Sequence, residues 1–340
     1  MLTAKERKIL SMIRVPSEDD PKKPEFPPES PKFPATPTKR ITVPGFQNVW
    51  LKDDSINRYS GTHKDRLAWE VVILYRDMLL AKKRGQYRGA LPQFSIISSG
   101  SSAIALGRML KGYALPAVKV LVDTHIDKAI LKAVKEAHCE VFLTDLSAEV
   151  LDAEKILRLT NNPNGFDLTS NRGIALEIGN YDWMSFEILN QSPEYVFIPF
   201  GTGTIYKKVL EVAKNVVRSP THDKRYRGDV ATLRNCHFMG ATTIDADSVA
   251  DKLYSPFLPF ADIGRDWIRF YKTAGYCGDQ TDIFVVHENF FQEAMKIAAD
   301  QGITCEPSGI AGLALLLQMS DTIDKAKKIL IVNTGKLRLI

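Results

Sequence analysis

The stretch "VWLKDDSINRYSGTHKDRLA" (residues 49–68) passes from an apolar strand pattern, through a polar turn, into a helical pattern. Apolar residues recur at helical spacing after Lys64, whereas the residues before the turn are typical of a β-strand. A lysine therefore stands directly behind a Ser-Gly-Thr turn and at the start of a predicted helix. This position favours a reactive amine, and an ordinary surface lysine at a helix start is the alternative.

The alternation of strand and helix continues on both sides of this stretch. Before a polar connector at 159–173, the predicted strands are "NVWLKDD" (48–54), "FSIISS" (94–99), "VKVLVD" (118–123) and "CEVFLTD" (139–145), with helices at 64–84, 101–113 and 126–138. After it come helix 174–190, strand "YVFIPF" (195–200), helix 205–218, strand "CHFMGATT" (236–243) and a helix–strand–helix–strand series ending in "KILIVNTG" (328–335). Strict alternation predicts parallel βαβ units in an α/β fold, with a smaller lobe set within a larger one.

Composition narrows the class of protein. The chain has 340 residues, 44% hydrophobic and 25% charged, with a net charge of +5, which is typical of a globular protein. The only dense basic cluster, "THDKRYRGD" (221–229), is interpreted as a solvated loop, so no nucleic-acid partner is expected. Without a signal peptide or a long apolar run, the chain is predicted to be cytoplasmic and to bind no membrane.

The cysteines and prolines give two further expectations. Four cysteines lie far apart without a C-x-x-C spacing, which argues against a zinc site, any other metal site and a disulfide framework: Cys139, Cys236, Cys277 and Cys305. Nine of the 18 prolines fall between Pro16 and Pro44. A segment so poor in backbone donors is predicted to be an extended arm over the body of the protein.

The loop in "FIPFGTGTIYKKVL" (197–210) joins an apolar strand to a helix and has the composition of a phosphate-binding turn. Gly201 and Gly203 allow backbone N–H groups to approach an oxyanion, and the hydroxyls of Thr202 and Thr204 add donors at a helix N-terminus. The loop lacks the Gly-Lys-Ser/Thr of a P-loop and the spacing of a dinucleotide fingerprint. A tight structural turn is the alternative.

Two more strand ends carry hydroxyl groups. In "SIISSGSSAIALG" (95–107), the residues Ser99, Gly100, Ser101 and Ser102 form a turn before a helix, which suits a carboxylate, although a serine-rich helix cap is the alternative. In "IVNTG" (331–335), Thr334 offers one hydroxyl after a buried strand. Open α/β sheets bind ligands at these carboxyl ends of strands.

An amine, a phosphate turn, a carboxylate turn and a single hydroxyl together meet the needs of pyridoxal 5'-phosphate. Residues 49–68 resemble the segment around the Schiff-base lysine of fold-type II pyridoxal-phosphate enzymes, which include threonine synthase, serine/threonine dehydratase, cysteine synthase and the tryptophan synthase β chain. Four further segments resemble that family's motifs in the right order: "TPT" (36–38), 98–103, "GIALEI" (173–178) before the glycine turn, and "CEPSGIAGLALL" (305–316). The resemblance spans roughly residues 35 to 336.

The resemblance implies a tryptophan synthase β-like fold, with the cofactor between two three-layer α/β/α lobes. The implied parts are a Pro-rich arm (1–44), a large cofactor-binding domain (45–60 and 160–340) and a small mobile substrate-clamp domain (61–159). Lys64 would be the catalytic, cofactor-bonded lysine, residues 201–204 would bind the phosphate, and Thr334 would meet the ring nitrogen. Ser101 would face the phenolic oxygen, and residues 99–102 would bind the substrate carboxylate. A homodimer is implied by analogy.

One residue departs from the family pattern. Where the family has "SSGN", this chain has "SSGS", so Ser101 replaces an asparagine. Two functions follow: an enzyme of β- or γ-elimination or replacement on a small amino acid, close to threonine synthase and the dehydratases, or a degenerate homologue that holds the cofactor and acts by binding or regulation. A nucleotide-binding or transferase protein without pyridoxal phosphate is a third alternative.

Overall fold

A computed structural model describes residues 2–13, 33–149, 151–169, 181–220, 223–254 and 265–339. Its helices are α1 Ala4–Met12, α2 Lys64–Lys83, α3 Ser101–Gly112, α4 Lys128–Glu136, α5 Ala153–Leu159, α6 Asp182–Leu189, α7 Thr204–Arg218, α8 Val230–Arg234, α9 Arg265–Thr273, α10 Glu288–Asp300 and α11 Ala311–Gln318. Its strands are β1 Thr38–Ile41, β2 Val49–Asp53, β3 Phe94–Ile97, β4 Val118–Asp123, β5 Cys139–Thr144, β6 Phe166–Asp167, β7 Tyr195–Pro199, β8 His237–Thr242, β9 Asp282–Val285 and β10 Ile329–Asn333.

The larger sheet has six strands in the order β1-β2-β10-β7-β8-β9. Its neighbouring strands are parallel, except that β1 runs antiparallel to β2. Residues of α10 and α11 pack on one face, and residues of α6, α7 and α9 pack on the other. Because both faces are covered, β7 and β10 are buried along their whole length, which explains their continuous apolar sequences.

The smaller sheet has four parallel strands in the order β5-β4-β3-β6. Residues of α1, α2, α3 and α4 share one apolar core with these strands. The strongly amphipathic α4 begins where the Asp127 carboxylate accepts hydrogen bonds from the backbone N–H groups of Ala129 and Ile130 at 2.8 and 3.0 Å. The molecule is therefore a two-lobed α/β protein, as the sequence predicts.

The predicted strands and helices are confirmed where their residues are described, except that the closing series has two helices, α10 and α11, between β9 and β10 instead of one. Of the predicted helix 174–190, α6 is the described part, and residues 170–180, which include all of "GIALEI", lie outside the described residues. Most of the proline-rich segment, residues 14–32, lies outside them as well. In the described part of the chain, no helix has both the length and the apolar character that a membrane crossing requires.

Five elements were not predicted: the helices α1, α5 and α8 and the strands β1 and β6. The capping box of Thr3 and Glu6 starts α1, whose Ile9 is buried in the core of the smaller lobe. Strand β1 lies inside the predicted arm, and β6 lies inside the predicted connector. Both strands are short, and each depends on pairing with another strand: β1 with β2, and β6 with β3. Local sequence patterns therefore do not predict them.

The predicted boundaries of the arm and the two domains remain a prediction. Strand pairing joins β1 to the larger sheet, and it joins β6, which follows the predicted boundary at 159, to the smaller sheet. The lobes meet where α2 begins, beside the end of β10. This junction brings the predicted lysine next to the larger sheet.

Candidate functional site

Lys64 is the first residue of α2, and the turn before it is closed by hydrogen bonds. The Asp65 carboxylate accepts hydrogen bonds from the backbone N–H groups of Tyr59 at 2.6 Å and Ser60 at 2.9 Å. The Thr62 hydroxyl accepts one from the Lys64 N–H at 3.2 Å. The polar residues of this turn therefore satisfy the helix start and fix its geometry.

The same turn is joined to the turn that carries Thr334. Thr62 and Gly335 form an antiparallel bridge, and the His63 N–H donates to the Thr334 carbonyl oxygen at 3.0 Å. Gly335 has φ +99°, and a Cβ there would lie 2.1 Å from the Gly61 carbonyl oxygen. Two glycines thus allow the two backbones to approach closely, and the tertiary structure brings Lys64 beside Thr334.

The surroundings of Lys64 favour its neutral form. Lys64 is half-buried, and burial lowers the pKa of its amine to about 8. Burial, followed by the positive charge of Lys64, lowers the pKa of the adjacent His63 to about 3, so this imidazole is neutral at ordinary pH. Its ring lies 5.6 Å from the ring of Tyr181. At neutral pH a larger fraction of such an amine is neutral than of an exposed lysine, so more of it is available to act as a nucleophile or base.

The glycine turn at 201–204 is tightly packed on one side and uncapped at the helix. A Cβ at Gly201 would lie 2.8 Å from the Lys252 carbonyl oxygen, and Gly203 has φ +79°. Gly203 caps α7 without a side-chain hydrogen bond, so the first N–H groups of α7 have no side-chain acceptor at the cap. The hydroxyls of Thr202 and Thr204 are 3.0 Å apart. This geometry suits an oxyanion.

A chain of contacts joins the glycine turn to Thr334. The Lys252 N–H donates to the Ser308 hydroxyl at 3.2 Å. The next residue, Gly309, accepts a hydrogen bond at its carbonyl oxygen from the Thr334 N–H at 2.9 Å. The ends of β7, β10 and α2 are therefore held together by backbone and hydroxyl contacts.

The serine turn at 98–102 lies between β3 and α3 of the smaller lobe. Gly100 has φ +131°, and a Cβ there would lie 2.5 Å from Ile130 Cγ2 and 3.7 Å from Leu337 Cδ2. The Ser98 hydroxyl accepts hydrogen bonds from the N–H groups of Gly100 and Ala103 at 3.1 and 3.2 Å. Ser98 thus supports the turn from below, while Ser101 and Ser102 are half-buried and Ser99 is exposed.

An arginine connects the serine turn's helix to the lysine turn. Arg108 on α3 donates to the carbonyl oxygens of Tyr59 at 2.7 Å and Arg338 at 3.1 Å. Together with the packing of Gly100 near Leu337, this contact brings the serine turn to the same edge as Lys64 and Thr334. Contacts therefore link all four predicted segments at the junction between the lobes, a region referred to as the cleft.

The sequence did not point to a buried charged cluster behind Lys64. Lys52, fully buried, lies 2.6 Å from a Glu187 carboxylate oxygen, and Arg66 pairs with both Glu187 and Asp54. The signal was present in "WLKDDS" (50–55), because charged residues are unusual in a strand that is buried on both faces. In the described ranges no group of three or more His, Cys, Asp or Glu side chains is arranged to hold a metal ion.

Comparisons with known proteins concern the fold and the family of the chain. A search of curated proteins finds no significant match. Among solved structures, the chain is similar to an O-acetylserine dependent cystathionine beta-synthase from Helicobacter pylori (TM-score 0.63, 14% identity, covering 98% of this chain and 95% of that one). It is also similar to an O-ureido-L-serine synthase (TM-score 0.63, 17% identity, 89% of each chain) and to threonine deaminase isoform 2 from Solanum lycopersicum (TM-score 0.55, 18% identity, 86% and 80%).

Structural similarity at such low identity establishes the fold, and the sequence itself supplies the family. Residues 32–335 match the family described as "Pyridoxal-phosphate dependent enzyme". This match covers both lobes and all four segments around the cleft. The chain belongs to the pyridoxal-phosphate-dependent enzyme family, whose structural relatives here are fold-type II enzymes.

Proposed function

We propose that Lys64 bonds covalently to pyridoxal phosphate and that the protein catalyses β- or γ-elimination or replacement on a small amino acid, as threonine synthases and dehydratases do. The observation that carries this proposal is the Lys64 amine, whose pKa burial lowers to about 8 and whose turn is hydrogen-bonded to the Thr334 turn. A half-buried amine that loses its proton more readily than an ordinary lysine, beside a turn that carries a hydroxyl group, is suited to this cofactor.

The residues around the cleft fit the group. The backbone crowding at Gly201 and the left-handed φ of Gly203 are features of a turn built for close backbone approach, as a phosphate requires. Residues 201–204 would bind the phosphate, Thr334 would meet the ring nitrogen, and Ser101 would face the phenolic oxygen. The turn at 99–102 would bind the substrate carboxylate.

Bound pyridoxal phosphate supplies an electron sink for the pair of electrons left at Cα when its proton departs. The chain's own groups provide the rest. Lys64 would hold the cofactor through its amine, and when that amine is free and neutral, above about pH 8, it would be placed to accept the Cα proton. The neutral His63 beside it adds no positive charge that would compete for this role.

A neutral hydroxyl at Thr334 has a chemical consequence for reaction type. A threonine hydroxyl has no negative charge with which to stabilise a protonated ring nitrogen, as a carboxylate would have, so the nitrogen would stay largely unprotonated. The sink is then moderate, which favours elimination or replacement at the substrate side chain over transamination. The serine turn at 99–102 would orient the substrate by binding its carboxylate.

A second function is supported by one residue. Ser101 stands where the family has asparagine and is shorter by an amide group. A protein that keeps the lysine and phosphate turn but loses this donor could hold the cofactor without fast turnover, and act in binding or regulation. We also propose that the protein is a homodimer, which sedimentation of the purified holoprotein would test. We propose a cytoplasmic location as well.

The test of function is a panel of small amino acids added to the purified holoprotein. For an enzyme of this kind, the visible absorbance of the cofactor changes on mixing with its substrate, and ammonia or a displaced leaving group appears in solution. A spectrum unchanged by every amino acid would favour the binding or regulatory function. A protein that fails to retain pyridoxal phosphate at all would contradict both.

A further inference from the structure

Two adjacent, buried carboxylates lie where strand β2 ends: Asp53 is its last residue, and Asp54 follows it. Asp53 is 2% exposed and Asp54 is 0% exposed. Buried acidic residues are rare unless they are paired, and a neighbouring pair is rarer still. Because successive side chains leave a strand end in opposite directions, the two carboxylates reach different partners.

Asp54 contacts both flanks of the Lys64 turn. Arg66, two residues after Lys64, donates to Asp54 from Nε at 2.8 Å and from Nη2 at 3.2 Å. Asn57 Nδ2 donates to Asp54 Oδ2 at 3.3 Å and to the Thr62 carbonyl oxygen at 3.0 Å. The carboxylate therefore holds the chain both before and after the lysine.

The charge of this cluster is balanced. Arg66 Nη2 also lies 2.8 Å from Glu187 Oε2, and Lys52 Nζ lies 2.6 Å from the same oxygen. Thr36 completes the cluster, since its hydroxyl donates to Asp54 Oδ1 at 2.5 Å. Two positive and two negative groups share one buried site, so it holds its geometry without a net buried charge.

Asp53 contacts the other turn. Its Oδ1 accepts a hydrogen bond from Asn333 Nδ2 at 3.0 Å, and Asn333 Oδ1 accepts one from the Gly335 N–H at 3.0 Å. Thr334 lies between Asn333 and Gly335 in the sequence. Lys39 Nζ, 3.0 Å from Asp53 Oδ2, balances the charge. Asp53 therefore acts on the backbone that carries the Thr334 hydroxyl.

We propose that Asp53 and Asp54 are positioning residues with separate tasks: Asp54 sets the Lys64 amine through Arg66 and Asn57, and Asp53 sets the Thr334 hydroxyl through Asn333. The inference rests on the proposed function, in which these two groups meet the same cofactor ring. One peptide unit at the end of β2 then fixes the separation between the group that bonds the cofactor and the group that meets its ring nitrogen. Rigid spacing of this kind is what preorganised sites require.

The matched variants Asp53→Asn and Asp54→Asn each remove one charge and keep the shape. On apoprotein, two quantities are measured: the rate at which borohydride-trappable pyridoxal phosphate accumulates on Lys64, and the ratio of affinities for pyridoxal phosphate and its 1-deaza analogue, in which carbon replaces the ring nitrogen. Asp54→Asn is expected to slow attachment of both compounds about tenfold and leave the ratio unchanged. In the native protein the ratio of affinities is expected to be about fivefold in favour of pyridoxal phosphate. Asp53→Asn is expected to leave the attachment rate unchanged and to bring this ratio closer to one.

Two further variants guard against misfolding. Arg66→Lys keeps the charge but loses the forked contact with Asp54, and Asn333→Ser breaks the second route without altering a carboxylate. They should reproduce the two separate effects, with Thr334→Ala as the reference for a lost ring-nitrogen contact. Thermal unfolding of each apoprotein checks the fold.

The inference is overturned if folded variants of both routes change the same quantity, or if neither changes any. A different conclusion follows if pyridoxal phosphate is not trapped at Lys64 of the native protein, or if the native protein does not distinguish the 1-deaza analogue. Either result overturns the proposed function, and this inference with it. Separate effects of the two routes, with trapping at Lys64 intact, support both.

Discussion

The glycine turn at 201–204 and the serine turn at 98–102 have the same plan, a strand, a short polar turn and a helix, but they are built differently. The wall beside Gly201 is a backbone carbonyl, whereas Gly100 packs against the side chains of Ile130 and Leu337. The cap of α7 receives no side-chain hydrogen bond, whereas the Ser98 hydroxyl already occupies two N–H groups near the start of α3.

This difference suggests different tasks. A turn with a backbone wall and open helix N–H groups is preformed for a fixed anion, as a resident cofactor's phosphate would be. A turn walled by side chains and tied to the other lobe through Arg108 can shift with its lobe, as a substrate clamp would do. The predictions below test this contrast, beginning with Lys64.

Replacing Lys64 should have the largest effect. We expect Lys64→Ala to abolish borohydride-trapped incorporation of pyridoxal phosphate while the apoprotein keeps its fold, because the bond requires that amine. Peptide mapping of the reduced protein is the measurement, and Lys83→Ala, at the exposed end of the same helix, is the control. Incorporation at a different lysine would remove Lys64 from the site.

Matched substitutions in the two turns should separate cofactor from substrate. In Gly203→Val, the φ of +79° becomes strained and the backbone approach is blocked, so cofactor affinity should fall about a hundredfold. Gly100→Val should instead raise KM for the amino acid and leave cofactor affinity nearly unchanged. Equilibrium dialysis and steady-state kinetics measure the two. Equal losses of cofactor in both variants would contradict the assigned division of tasks.

The pH dependence of cofactor attachment should come from Lys64. The two turns, 98–102 and 201–204, contain only glycine, serine and threonine and have no group that titrates near neutral pH. Burial lowers the Lys64 pKa from its usual value of 10.5 to about 8, so the reactive neutral amine grows as pH rises. The attachment rate should rise about tenfold between pH 7 and pH 9 and then level off. A rate that keeps rising past pH 9 would mean an exposed, ordinary lysine.

The smallest expected effect is at the altered position in the serine turn. Ser101→Asn would add a donor for the phenolic oxygen, worth about 1 kcal/mol, or about a fivefold gain in cofactor affinity. Activity towards serine or threonine should rise with it, as measured by ammonia release. Loss of a measured native activity would instead mean that Ser101 fits a differently shaped substrate, and it would exclude the degenerate homologue.

Much of the fold followed from local patterns. Continuous apolar runs such as residues 329–333 predict buried parallel strands, and helical spacing after Lys64 and Thr204 predicts α2 and α7. Strand β1 was not predicted, because its four residues lie in a proline-rich segment with no clear strand pattern. It forms by pairing with β2. The two-residue β6 likewise forms by pairing, with β3.

The candidate site divides in the same way. The sequence alone determined which segments carry amines, hydroxyls and glycines at strand ends, because those features depend on residue type and neighbouring positions. Only the tertiary structure decided that Lys64 lies beside Thr334, that its pKa falls to about 8, and that Asp53 and Asp54 reach two different turns. Burial and ion pairing depend on what distant segments bring to a point in space, and a one-dimensional pattern does not contain that information.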